Sequence, residues 1–183
     1  MEVSEAIAKR KSVRAYEDRP VPADVLAKIV EAGRWAPNTV PFHLSVIRNQ
    51  ALRKKINDRT LEAMANGPND FLRQRASLPG YRPLYGAPVL IVFSAPTDVP
   101  FGPMNTALAA ENMLLEATSL GLGSCYLITP TMVLTGGNNE LAKEARVPEG
   151  YAALCAIVVG YAAAEDKFSL PERSKKGEVA YVD

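Results

Sequence analysis

Histidine is almost absent: His43 is the only one in 183 residues. A zinc centre built from several imidazoles is therefore excluded. Any Ser-His-Asp or Cys-His nucleophile site would have to be assembled around His43 alone. Cysteine is nearly as scarce. Cys125 and Cys155 lie in the apolar stretches SCYLI and ALCAIVV, which read as buried strands. Reduced core thiols are expected there ahead of a disulfide or a reactive thiol. No GxxxxGK[ST] loop appears, and no GxGxxG opens a helix after a strand. No apolar run approaches the roughly 20 residues that span a bilayer. The opening MEVSEAIAKRKS lacks the apolar core of an export signal, so a cytoplasmic location is the expectation. Twenty-one basic residues face twenty acidic ones, a net charge of +1. That balance offers no bulk attraction to nucleic acid or to a membrane surface. Redox chemistry in such a chain would have to come from a bound cofactor.

What is present is a sequence of alternating elements with no internal repeat and no clear interdomain linker, so a single domain over 1–183 is expected. Ser4 is placed to cap a short helix through about Lys11, with Val3, Ala6 and Ile7 turned inward. Pro22 opens a second helix whose face carries Val25, Leu26, Ile29, Val30 and Gly33, and Pro37 bars its continuation. Residues 44–48 read as a strand, and Asn49 as the cap of a helix carrying Leu52, Ile56 and Leu61. The stretch 66–87 reads as part helix and part loop, with 67–82 as a candidate lid. PVLIVFSA at 88–95 is a buried strand. Residues 103–123 form a long helix that is small and apolar nearly all round, as expected of a helix packed on two sides or against another subunit. Strands follow at 124–128 and 153–162, with a short helix at 138–145 capped by Asn138 or Asn139. The polar, basic tail at 163–183 either dangles or lies on a partner.

Three features carry candidate chemistry. Arg10-Lys11-Ser12-Val13-Arg14 places two guanidiniums, an ammonium and a hydroxyl within one short run. Arginine offers paired planar donors that suit phosphate oxygens. In an extended chain positions 10, 12 and 14 point the same way, so they can converge on one dianion. The same residues also suit a solvated helix end favoured by the helix dipole. Arg173-Ser174-Lys175-Lys176 is either an ordinary basic tail or the completion of a phosphate site. Gly121 and Gly123, at the end of the long helix, serve either as a C-cap or as a close approach of backbone to a flat ring. His43, Trp35 and Tyr16 read as structural residues first.

RKSVRAY, WAPN, the helix ENMLLEATSLGLGSCYL, VVGYA and the basic tail occur in an order and spacing that resemble the FMN-dependent nitroreductase family. The resemblance runs from about residue 4 to 176. It implies an α+β fold, a central antiparallel sheet flanked by helices, in an intertwined homodimer with FMN at the interface and the tail reaching over the partner. It implies phosphate binding by Arg10, Ser12 and Arg14, with Lys11 beside the ribityl chain and Arg173 and Lys175 contributing from the tail. Pro37, Asn38 and Thr39 would cover the partner's flavin. Backbone groups of Tyr126, Leu127, Ile128 and Thr129 would face flavin N5, and Arg82 would lie near the N1–O2 edge. The implied activity is ping-pong electron transfer from NADH or NADPH to a nitroaromatic, a quinone or a similar flat acceptor. The family also includes dehalogenating and flavin-cleaving enzymes, and an FMN storage role is a further alternative. Two departures stand out. Members typically read APSAxNxQPW where this chain reads APNTVPFH, a shorter loop without the Asn and Gln that lie near the ring. Asn105 stands where many members carry Asp, an exchange between two residues that both cap helix starts.

Overall fold

The most apolar run of the chain lies at the centre of the sheet. The computed structural model describes residues 1–135, 139–169 and 175–182. Strand β2 (Val89–Pro96) is buried along nearly its whole length, as is most of β4 (Tyr151–Gly160) beside it. Strands β1 (His43–Ile47) and β3 (Gly123–Leu127) form the edges. The order is β1-β2-β4-β3 and every pairing is antiparallel. Alternation of side chains splits the core into two layers. Val89, Ile91, Phe93, Cys155, Ile157 and Val159 face helices α2 (Ala23–Arg34) and α5 (Gly102–Ser119). Leu90, Val92, Cys125, Ala156 and Val158 face the other way, toward Ile56 of α3 (Gln50–Asn66), Leu134 and Leu141. With both faces covered, the central strands read as continuous apolar runs rather than alternating ones. Cys125 and Cys155 are buried free thiols, one in each layer.

Local signals behave as expected in several places. Asn49 accepts a 2.8 Å hydrogen bond from the Leu52 N–H, capping α3. Asn139 does the same for α6 (Glu140–Glu144) through Ala142, at 3.1 Å, whereas Asn138 lies outside the described residues. Helix α4 (Asp70–Ala76) forms within the candidate lid, capped by Asn69.

Helix α1 (Val3–Lys9) departs from expectation. Glu2, not Ser4, occupies its N-cap; Ala6 is its buried residue, and Val3 and Ile7 are exposed. A two-turn helix lying on α5 presents one narrow face to it, and the small Ala6 takes that contact. A 3-10 turn at Thr129–Val133 follows β3 and had no clear signal in the sequence. The tail also differs at its start: residues 163–169 fold back onto their own chain, while 175–182 are exposed.

Candidate functional site

The basic segment leaves α1 and runs alongside the sheet. Ser12 bridges Ser124 of β3 in parallel, and the Val13 N–H donates to the Ser124 carbonyl at 2.9 Å. Tyr16 then bridges Ala162 beyond the end of β4. Val13 is buried, which leaves Ser12 and Arg14 half-buried on the opposite side and Lys11 exposed. Arg10 sits just past the helix, its Nε 3.1 Å from a Glu111 carboxylate oxygen on α5. Close approach to β3 is possible because residue 123 is glycine: a Cβ there would lie 3.0 Å from the Val13 side chain. Gly121, at φ +77°, serves as the left-handed end of α5. Both glycines thus have structural duties within this chain.

A second tie comes from the far end of the sequence. Asp166 accepts the Arg14 backbone N–H at 2.7 Å, and its other oxygen accepts from the N–H groups of Phe168 and Ser169 at 3.1 and 2.9 Å. Ser169 Oγ donates to the Ser12 carbonyl at 2.8 Å. Burial pushes the Asp166 carboxyl up, but the hydrogen bonds from Ser169, Arg14 and Phe168 outweigh it and hold the pKa below its ordinary value. The carboxylate therefore stays ionised and keeps Ser12–Arg14 in one conformation. Asp166 and Ser169 were not among the sequence candidates.

Arg14 also lines a cleft of about 890 Å³ between the 14–18 segment, α3 and the loop before β2. Arg82 lines the same cleft, with Arg53, Lys54 and Lys167 opposed by Asp18, Asp58 and Glu165. Its aromatic wall is Tyr81, edge-on to Tyr85 at 5.9 Å and to Phe168 at 5.6 Å. Burial pushes the Tyr81 hydroxyl up to about 12, so it stays protonated. Two cations that the sequence places 68 positions apart thus share one concavity.

The remaining candidates lie outside that cleft. Tyr126 is partly exposed on the α5 side of β3, and burial raises its hydroxyl pKa. Leu127 is buried, so only its backbone is on offer. At Ile128 and Thr129 the chain leaves the ladder and turns into the 3-10 helix. Pro37, Asn38 and Thr39 form an exposed loop after α2. Lys175 is exposed in the tail, and Arg173 lies outside the described residues. His43 begins β1; burial lowers its pKa, and its Nδ1 is buried with no hydrogen bond among the described residues. The described residues of this chain therefore do not bring together all the positions singled out from the sequence. No group of metal-ligating side chains occurs among the described residues.

An antiparallel sheet with helices on both faces, and a basic segment tied to its β3 edge, define an α+β domain with a cationic stretch beside the sheet. The chain belongs to the Nitroreductase family, whose pattern it matches over residues 7–161. It is 31% identical over 171 residues to a provisionally named NADH dehydrogenase/NAD(P)H nitroreductase of Methanothermobacter thermautotrophicus, covering 89% of this chain and 78% of that protein. A Bacteroides fragilis nitroreductase with bound FMN is 32% identical, with a TM-score of 0.87 and full coverage of both chains. A Desulfitobacterium hafniense nitroreductase with bound FMN is 26% identical, with a TM-score of 0.88, again over all of both chains.

Proposed function

We propose that this chain is an FMN-bearing oxidoreductase that takes electrons from NADH or NADPH and delivers them, in ping-pong order, to a flat small-molecule acceptor such as a nitroaromatic or quinone. The observation that carries this reading is the Arg10–Ser12–Arg14 segment, held against β3 by Ser124 and from behind by Asp166 and Ser169. A phosphate monoester wants several short, fixed, charge-assisted donors. This segment supplies two guanidiniums and a hydroxyl on a backbone that is already immobilised. Bound FMN supplies the hydride and electron chemistry that a chain with one histidine lacks. Around it, Lys11 would serve the ribityl chain, Arg82 would offer positive charge to the N1–O2 edge, and Tyr126–Thr129 would offer backbone groups to the N5 side. Arg173 and Lys175 add cations from the tail.

The functional unit in this reading is a homodimer in the cytoplasm. Helix α5 buries Ala109, Ala110, Met113, Leu114 and Ala117 against the sheet and α2. Its other side exposes Met104 (64%) and Leu108 (47%), one turn apart, and Val3 and Ile7 of α1, a helix that packs on α5, are exposed too. Trp35 at the end of α2, 78% exposed, and Phe101 at the start of α5 are further exposed apolar side chains. Several large apolar side chains left exposed on these helices support an interface with another molecule. A second copy would bring its 37–39 loop and tail to the site. Among the described residues, no helix is long and apolar enough to cross a membrane.

The test is a visible spectrum of the purified protein, followed by anaerobic addition of NADH and then NADPH. Flavin bands that bleach, and return when a nitroaromatic or quinone is added, are expected. Flavin bands that never bleach would leave an FMN carrier. A colourless protein that FMN does not restore would refute the reading.

A further inference from the structure

Asn105 lies in the early part of α5, four residues after the Phe101 cap, and is only 5% exposed. At that position it does not cap its own helix, contrary to its reading as a helix-start residue. A buried carboxamide must satisfy both its oxygen and its nitrogen. In one amide orientation Nδ2 donates to the Val40 carbonyl at 3.4 Å; in the swapped one, which satisfies both ends, Oδ1 faces the loop between α2 and β1 and accepts the backbone N–H groups of Thr39 and Val40, both at 3.2 Å. Two consecutive donors on one oxygen fix the path of the loop at its middle. The Ala36 N–H to Gly33 carbonyl bond (3.2 Å) and the Asn38 Nδ2 to Ala36 carbonyl bond (3.1 Å) shape only the loop's beginning. Pro37 and Pro41 have no N–H to contribute.

We propose that Asn105 is a positioning residue: by holding Thr39 and Val40 it sets the Pro37–Asn38–Thr39 edge at the height needed to cover the flavin of the partner protomer. The proposal rests on the functional reading above. The exposed edge of the loop offers only the Asn38 and Thr39 side chains as polar groups, so these and the backbone must make whatever contact it makes. A loop with few long side chains cannot reach for a ring; it has to be put in place. Asn105 does this from a helix whose outward face forms the proposed dimer surface, so the anchor and the covered ring are assembled together.

The experiment compares the parent with Asn105→Ala and Asn105→Asp as full-length proteins. Aspartate retains an acceptor for both N–H groups; alanine has none. Amide exchange at Thr39 and Val40, FMN affinity by fluorescence titration, and melting temperature are measured for each. In Asn105→Ala, exchange at Thr39 and Val40 accelerates while β2 and β4 keep their protection. The FMN Kd rises about tenfold, the scale of one lost hydrogen-bond acceptor. Asn105→Asp restores both readouts. Unchanged exchange at Thr39 and Val40 in the alanine variant would show that Asn105 does not hold the loop. Faster exchange with unchanged FMN affinity would show that the held loop does not serve the flavin. Either result overturns the proposal while the functional reading stands. A parent protein with no affinity for FMN would overturn both, a failure told apart by the parent's own titration.

Discussion

Replacing Arg10 and Arg14 together by alanine tests the phosphate assignment most directly, because the structure predicts a large binding loss at small structural cost. The Arg14 backbone N–H that Asp166 accepts is retained in alanine, as is the Val13 bond to Ser124, so the segment keeps its course. The Arg10–Glu111 ion pair is lost, but Glu111 is half-exposed and such pairs contribute at most about 1 kcal/mol. Binding is a different matter. Each charge-assisted bond to a phosphate oxygen contributes about 1.5–3 kcal/mol, so two contribute roughly 3–6 kcal/mol. At about 1.4 kcal/mol per factor of ten, the Kd for FMN should rise by roughly 10² to 10⁴. The assay is quenching of flavin fluorescence on titration into apoprotein, with thermal melts of the flavin-free variant alongside. Arg34→Ala with Arg59→Ala is the control: it removes the same charge from two exposed ion pairs, and it should leave the Kd within a few-fold of the parent. A Kd that moves less than tenfold in the Arg10/Arg14 variant, with the melting temperature preserved, would refute the assignment.

Two further outcomes are expected. Met104→Glu with Leu108→Glu places two carboxylates on the exposed apolar side of α5, and sedimentation should show monomers with weakened FMN binding; a persisting dimer would move the interface elsewhere. Burial pushes the Cys155 thiol from its ordinary 9.0 up to about 11. Below about pH 9 the thiol is protonated in the folded and unfolded chain alike and contributes no pH dependence. Between about pH 9 and 11 the unfolded chain gives up this proton first, so stability falls by on the order of 2 kcal/mol as pH rises. Urea unfolding at pH 8 and pH 10.5 should show that fall, and Cys155→Ala should lessen it; an equal fall in both proteins would contradict the buried-thiol account.

What the sequence disclosed and what it hid divide along a physical line. Strands β2 and β4 are legible because both their faces are covered, so burial leaves an unbroken apolar run. The caps at Asn49 and Asn139 are legible because donor and acceptor lie three residues apart. The all-round apolar character of α5 signals covering on two sides, and the chain itself supplies the sheet and α2, leaving Met104 and Leu108 exposed. Sequence periodicity weighs apolar residues without regard to whether anything covers them, which is also why Val3 and Ile7 read as inward. Asp166 marks the opposite limit. Its turn with Phe168 and Ser169 is local, yet its bond to Arg14 spans 152 positions, and nothing near residue 166 announces it. Asn105 is the same case: its identity suits a helix start, while its task is a loop 65 positions earlier, set by how α5 crosses the end of α2. The candidate site is built of such long-range ties. Its cations are readable as a motif, but the residues that fix them in place appear only once the chain has folded back on itself.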